Sequence, residues 1–342
     1  MKPVLTDAVK TEMRMAQLMA QQQASGFRFD LNAAERVREE LSKRQSKLER
    51  RLGETYRYYP GKVFTPKRTD KKSGYVAGAP MTKLVDFNPT SRQHIAWCLQ
   101  TFRGARFTKM TDTGKPKVDE ATLSEVRDMA IQQGNSKLKV DCELFMELLS
   151  LQKDMGQLSE GSNSWLNSVE ESGCIHHSCS LATVTGRNAH RGPNLGQVKS
   201  SEWARQLFIP HPGHVMVGGD LDGLELRCLG HYLSRYDDGN FAKVVVEGDI
   251  HAQNAFRVGC ERSEVKSLTY AFLYGSGDLK LGHIFKPEWS DAKKKSLGKS
   301  LRKKFEDAIP GLKPLVDAVK MKVREQGRLR GLDGRPIFCR AE

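Results

Sequence analysis

Along much of the chain, apolar residues recur at the three-to-four spacing of helices that bury one face. The pattern runs from Thr6 to about Ala24 and from Asp30 to about Leu52. The second run is dense in alternating charge, with Glu39, Glu40, Lys43, Lys47 and Arg50 giving i,i+4 neighbours as on an exposed helix. Together these runs predict an extended antiparallel helical pair. Between Tyr56 and Pro89 the period is lost, and Pro, Gly, Tyr and Lys predict a long basic loop at the tip of the pair. Helical spacing returns at Ser91, which follows Asn88-Pro89 and can cap the run to Leu99. It returns again at Asp119 and from Lys137 to about Leu158. From Gly173 to Pro212 turn residues take over. Val215 to Val217 is a short apolar run of strand character, followed by two glycines, Asp220, and a helix with Leu224, Cys228 and Leu229 on one side. Further helices begin near Gly248-Asp-Ile-His251 and at Arg262, and Lys280 to Arg330 is helical and strongly basic.

A length of 342 residues is enough for two or three cores of ordinary size. No apolar run approaches the ~20 residues needed to span a bilayer. The N-terminal Met-Lys-Pro-Val-Leu-Thr-Asp-Ala lacks the apolar core of a signal peptide, so a cytoplasmic location is expected. Seven scattered cysteines suit reduced thiols rather than a disulfide framework. Cys174-Ile-His-His-Ser-Cys179 gathers four potential zinc ligands. Structural zinc sites usually draw on two separated pairs, and no second pair lies nearby, so this segment is expected to be a strand in a hairpin. The net charge of +14 points to a polyanionic partner, with nucleic acid ahead of a membrane surface.

Three stretches carry candidate chemistry. Asp220 stands at a strand end behind glycines, where a carboxylate either caps the following helix or ligates a metal. Arg262, Lys266, Tyr270 and Tyr274 are spaced four apart, so on a helix they form one slowly drifting stripe of two cations and two aromatics. That suits a triphosphate at one end and a base at the other. The loop from Thr185 to Val198 offers Arg187, Asn194 and Gln197 to phosphates and to minor-groove acceptors. Asp141-Cys-Glu143 has the spacing of an exonuclease metal pair, but on a helix residues two apart point away from each other. A solvated helix face is expected there.

In order and spacing these pieces resemble a known family. Asp220-Leu-Asp-Gly-Leu-Glu-Leu-Arg227 resembles motif A of family A DNA polymerases, and the stripe from Arg262 to Gly275 resembles their motif B. Thr185-Gly-Arg187 with Pro193-Asn-Leu195 resembles the loop ahead of motif A. Tyr75-Val-Ala-Gly-Ala-Pro80, Gly248-Asp-Ile-His251 and Gly331-Leu-Asp-Gly-Arg335 are most similar to the replicative polymerases of T-odd bacteriophages. The resemblance implies an α+β, mainly helical fold: part of a right-hand polymerase. Residues 1–170 would be a helical thumb with a basic insertion at 56–89. Residues 171–236 would be a palm portion carrying motif A, and 237–342 the fingers with motif B and the start of the return to the palm.

The same resemblance implies residue roles. Asp220 and the Leu221 carbonyl would hold two Mg2+ ions. Glu225 would exclude a ribose 2′-hydroxyl. His251, Arg262 and Lys266 would hold the incoming dNTP, Tyr270 would stack by its sugar, and Tyr274 would sit by the templating base. Thr185, Arg187, Asn194, Gln197 and Lys153 would track primer–template DNA, with Lys67 and Arg68 adding contacts from the basic insertion. Family members carry a second metal-binding carboxylate in a later His-Asp-Glu motif, which these 342 residues lack. A truncated or split polymerase needing a second polypeptide is therefore expected. The insertion is shorter than the one that recruits thioredoxin in the T-odd enzymes, which argues against that partner. A non-catalytic DNA-binding fragment and a single-subunit RNA polymerase are the alternatives, and Glu225 opposes the latter.

Overall fold

The computed structural model describes residues 6–111, 113–183, 186–286 and 289–339. The chain divides into two compact units, Met13–Met216 and Met1–Glu12 with Val217–Glu342. The division falls within the stretch expected to be palm. Among the described residues the chain is mainly helical, with four two-stranded sheets. Among the described residues no helix is long and apolar enough to cross a membrane.

In chain order the first elements are α1 (Asp7–Ser25), β1 (Phe27–Arg28), α2 (Leu31–Tyr56), β2 (Tyr58–Phe64), β3 (Met81–Asp86), α3 (Arg92–Arg103), α4 (Glu120–Gln132) and α5 (Ser136–Leu158). They are followed by β4 (Cys174–Ile175), β5 (Ser178–Ser180), β6 (Ala189–Arg191) and α6 (Glu202–Gln206). Three helix starts are set by side chains that the sequence places there. Asp30 accepts from the Ala33 amide at 2.9 Å, Asp119 from Thr122 at 2.9 Å and Asn135 from Leu138 at 3.1 Å. Each satisfies one of the orphan donors of a first turn. Ser91 occupies the corresponding position of α3 without a capping hydrogen bond, contrary to expectation. Helices α2, α3 and α4 pack on α5 around Leu52, Ile95, Leu99, Leu123, Phe145 and Leu148, all of them buried.

Asp141 corrects the solvated-face reading of this helix. It is 7% exposed, and one carboxylate oxygen accepts from both the Tyr56 hydroxyl and the Arg103 guanidinium. The Arg103 guanidinium also lies over the Tyr56 ring, 5.4 Å from its centroid. Burial, and then the hydrogen bond to Asp141, push the Tyr56 hydroxyl far above its usual range, so it stays a donor. Its neighbour Glu143 is exposed and pairs with Lys139 at 3.9 Å, as a solvated face requires. The sequence pattern hid Asp141 because its partners lie 85 and 38 residues away.

The expected loop at 56–89 is instead a hairpin of β2 and β3, with an irregularity between Pro60 and Val63. Pro60 and Gly61 mask its strand character. Gly61 is needed there: a Cβ would lie 2.7 Å from the Lys83 carbonyl oxygen. The basic residues Lys67 and Arg68 sit beyond β2, toward the hairpin tip, and are exposed.

The remaining elements are α7 (Leu224–Asp237), α8 (Asn240–Glu247), α9 (Ile250–Val258), α10 (Arg262–Leu273), α11 (Asp278–Phe285), α12 (Asp291–Ala308), α13 (Leu312–Gln326), β7 (Arg328–Arg330) and β8 (Pro336–Phe338). Their core holds Leu226, Leu229, Leu233, Phe241, Leu268, Leu281 and Phe305. Leu226, Leu229 and Leu233 form the inward face of α7, whereas Leu224 is 46% exposed, so the face differs from the one expected. Helices α11 and α12 approach so closely at Gly282 and Gly298 that a Cβ on either would overlap the other helix's backbone. Val215–Val217 is not a strand, and Val215 and Val217 are 81% and 86% exposed. A strand is defined by a pairing backbone, and among the described residues none pairs with this run.

Removing one member of a buried ion pair leaves the other charge uncompensated. Asp141→Ala is expected to lower the unfolding free energy by about 3 kcal/mol, read from the urea midpoint at unchanged slope.

Candidate functional site

The tightest grouping of expected site residues lies within the unit that holds α7 to α13. Helix α10 is fixed at its start by a reciprocal box in which Glu261 and Glu264 each satisfy a backbone amide of the other. Its inner face is Val265, Leu268 and Thr269, all buried. Arg262 and Lys266 are exposed and Tyr270 is half-buried on the outer side, and Tyr274 follows as the exposed C-terminal cap. The expected stripe is therefore real, and it faces away from the core.

Helices α7 and α9 bring further residues to that stripe. Asp249 caps α9, its Oδ1 accepting from the His251 and Ala252 amides at 3.0 Å each. Its other oxygen accepts from Arg262 Nε at 2.8 Å. The Arg262 hydrogen bond, ahead of the amides, holds the Asp249 carboxyl below its ordinary value. Asp249 was not expected to matter, although a Gly-Asp pair before a helix is a recognisable start signal. The rings of His251 and Tyr270 lie 6.2 Å apart, tilted 47°. Burial, and then the nearby Arg262 charge, keep the His251 imidazole below its usual range and hence neutral near pH 7. Its Nδ1 is buried without a hydrogen-bond partner.

Glu225, in the first turn of α7, accepts from the Tyr274 hydroxyl at 3.0 Å. Burial raises the Tyr270 hydroxyl, and the carboxylates of Glu225 and Asp222 raise it further. Glu225, Tyr270, Tyr274, His251, Arg262 and Lys266 are thus linked through one helix and its two neighbours.

Asp220 and Leu221 precede α7 in an exposed turn, and Asp220 Oδ1 accepts from the Leu221 amide at 3.0 Å. Gly223 takes the left-handed conformation at φ 59°, which turns the chain into the helix. Arg227 Nε donates to the Asp222 carbonyl at 2.7 Å across this turn. An accessible carboxylate with a nearby carbonyl fits a hard cation such as Mg2+. Asp220 belongs to no group of three or more potential metal ligands among the described residues.

The residues expected to follow DNA lie in the other unit. Thr185 falls outside the described residues. Asn194 accepts from the Gly196 amide at 3.1 Å, and Gln157 donates to the Gln197 carbonyl at 3.1 Å. Asn194 and Gln197 line a depression of about 350 Å³ with Gln157, His190 and Arg191. Arg187 is exposed, and its carbonyl accepts from the Thr183 hydroxyl at 2.6 Å. Lys153 lies on α5, exposed and 3.9 Å from Glu120.

The sequence model described as DNA polymerase family A matches residues 73–341. The chain is 34% identical to the DNA-directed DNA polymerases of Escherichia phage T7 and Enterobacteria phage T3, over 98% of this chain and 56% of each relative. It therefore spans little more than half the length of those enzymes. In fold it is similar to the POL domain of Pol1 from M. smegmatis, solved in complex with DNA primer-template and dNTP. That likeness has a TM-score of 0.68 at 18% identity, over 96% of this chain and 52% of the other. With the family model matching more than three quarters of its length, the chain belongs to the family A DNA polymerases.

Proposed function

We propose that the chain takes part in DNA-templated DNA synthesis, transferring dNMP from a dNTP to a primer 3′ end during phage DNA replication in the host cytoplasm. The observation that carries this is the outward stripe of α10, two cations and two tyrosines over about three helical turns, with His251 and Glu225 set against its aromatic end. Arg262, Lys266 and His251 bind the triphosphate; the positive charge of Arg262 and Lys266 meets the charge that develops on the transferred phosphoryl group, and neutral His251 contributes a hydrogen bond. Arg262 exchanges Asp249 for phosphate. That exchange is easy, because both side chains are about half exposed and water screens their attraction. Glu225, held by Tyr274, occupies the space of a ribose 2′-hydroxyl, and Tyr270 stacks by the sugar. Tyr274 pairs this gate with the templating base.

Asp220, helped by the Leu221 carbonyl, is the metal-binding carboxylate of this half. Two divalent ions, Mg2+ by preference of the hard oxygen donors, would activate the primer hydroxyl and neutralise the leaving pyrophosphate. Two-metal transfer needs a carboxylate facing Asp220, and Asp222 lies too near along the chain. We propose that a second polypeptide supplies that carboxylate. Lys153, Thr185, Arg187, Asn194 and Gln197 contact primer–template DNA through phosphates and minor-groove acceptors. Lys67 and Arg68 extend that contact along the β2–β3 hairpin.

Incubated with primed template, Mg2+ and dNTPs, the chain alone is expected to extend little or nothing, and Asp220→Ala to remove any residual extension. Robust extension by the chain alone overturns the need for a further carboxylate. Extension that survives Asp220→Ala overturns the role of Asp220.

Charge reversal at Lys62, Lys67, Arg68, Lys71 and Lys72 is expected to flatten the dependence of log K on log salt for duplex binding. The slope changes by about 0.9 for each DNA phosphate that the hairpin no longer neutralises. Fluorescence anisotropy across a salt series measures it, and an unchanged slope removes the hairpin from the DNA-binding surface.

A further inference from the structure

The segment Cys174–Cys179 does enter a hairpin, as its sequence suggests, but the hairpin supplies the ligand that the sequence lacked. Strand β5 pairs with β6 in antiparallel register, with Cys179 directly opposite His190. His177 lies two residues before Cys179, and residues two apart on an extended chain share a face. Directly opposed residues of an antiparallel pair share that face as well. Three metal-ligating side chains therefore converge on one side of a two-stranded ribbon.

The distances follow from that placement. Cys179 Sγ lies 3.1 Å from His177 Nε2 and 3.3 Å from His190 Nδ1. All three ligand atoms fall within 4.8 Å of one another. Zinc bonds of about 2.3 Å to sulfur and about 2.0 Å to nitrogen, at tetrahedral angles, put neighbouring ligand atoms roughly 3.3–3.6 Å apart. The two sulfur–nitrogen distances lie within a few tenths of an ångström of that spacing. The two imidazoles stack at 5.2 Å between centroids and 21° between planes. His177 is 2% exposed, with the Phe27 ring 5.5 Å from its own.

A hydrogen-bonded triad explains the cluster poorly. One thiol hydrogen can serve only one of the two ring nitrogens, and the other contact then rests on a sulfur acceptor, which is weak. Such contacts offset little of the cost of burying His177, whose Nδ1 has no partner either. The two neighbours in sequence point elsewhere. His176 Nδ1 lies 2.7 Å from the Gln23 carbonyl, and Cys174 Sγ approaches the Ser172 carbonyl at 3.9 Å.

We propose that His177, Cys179 and His190 bind one Zn2+ ion. One thiolate and two imidazoles favour zinc over the hard Mg2+ ion that suits Asp220. The role is structural. Strands β5 and β6 have three residues each, and a ribbon that short is marginal by itself. A zinc clip across its base would hold the turn that carries Arg187 and the segment leading to Asn194. The site stands on its own ligands, whether or not those loops meet DNA.

The test is zinc bound by the untagged chain after dialysis, measured by plasma mass spectrometry, with Co2+ substitution reporting geometry. One equivalent per chain is expected, falling at least tenfold in Cys179→Ser and in His190→Ala and unchanged in Cys174→Ser. The Co2+ form is expected to show tetrahedral absorption with a thiolate-to-metal band that Cys179→Ser removes. Far-ultraviolet circular dichroism of each variant separates loss of the site from loss of the fold. Absence of tight Zn2+ binding by the wild-type chain overturns the proposal. So does retention of zinc by a folded Cys179→Ser variant, or equal loss in Cys174→Ser.

Discussion

The burial of one face of α10 is the constraint on which the display of its opposite face, the proposed nucleotide-binding side, depends. Val265, Leu268 and Thr269 are held in a core shared with α9 and α11, so the helix cannot rotate without exposing them. Burying a residue of leucine size contributes about 1.5–3 kcal/mol, far more than any exposed contact on the other side. The stripe from Arg262 to Tyr274 is therefore displayed by what lies opposite it. The close approach of α11 and α12 at Gly282 and Gly298 gives the same core a rigid outer layer, tied to α10's C-terminal end where Arg302 donates to the Ser276 carbonyl at 2.7 Å.

On this fixed face the charges divide the work. Arg262 is paired with Asp249, which also organises the start of α9 and so positions His251. Among the described residues Lys266 forms no ion pair within 4 Å. It can meet a phosphate without first giving up a partner. Carboxylates gather at the opposite end of the stripe, where Glu225 is bonded to Tyr274 and acts on Tyr270. Cations stand at one end of the stripe and a carboxylate–tyrosine pair at the other, the polarity that the proposed phosphate-to-base orientation of a nucleotide requires.

Much of this was legible in the sequence because it is local. The four-residue spacing of Arg262, Lys266, Tyr270 and Tyr274 fixes their common face through helix geometry alone, and Asp30 and Asp119 announce the helices they cap. What was not legible depends on residues far apart in the chain. Asp141 looks solvent-facing until Tyr56 and Arg103 are folded onto it. Cys179 looks like a strand residue until strand register sets His190 opposite. The β2–β3 hairpin was hidden because Pro60 and Gly61 imitate a loop, and Val215–Val217 promised a strand for which no described backbone offers a pair.

Nucleotide binding by the α10 stripe can be read from complex formation on primed template in Mg2+. The complementary dNTP should stabilise the complex over a non-complementary one, and Lys266→Ala should weaken that stabilisation about tenfold, or about 1.4 kcal/mol. Stabilisation equal for all four dNTPs, or unchanged in Lys266→Ala, would contradict the account.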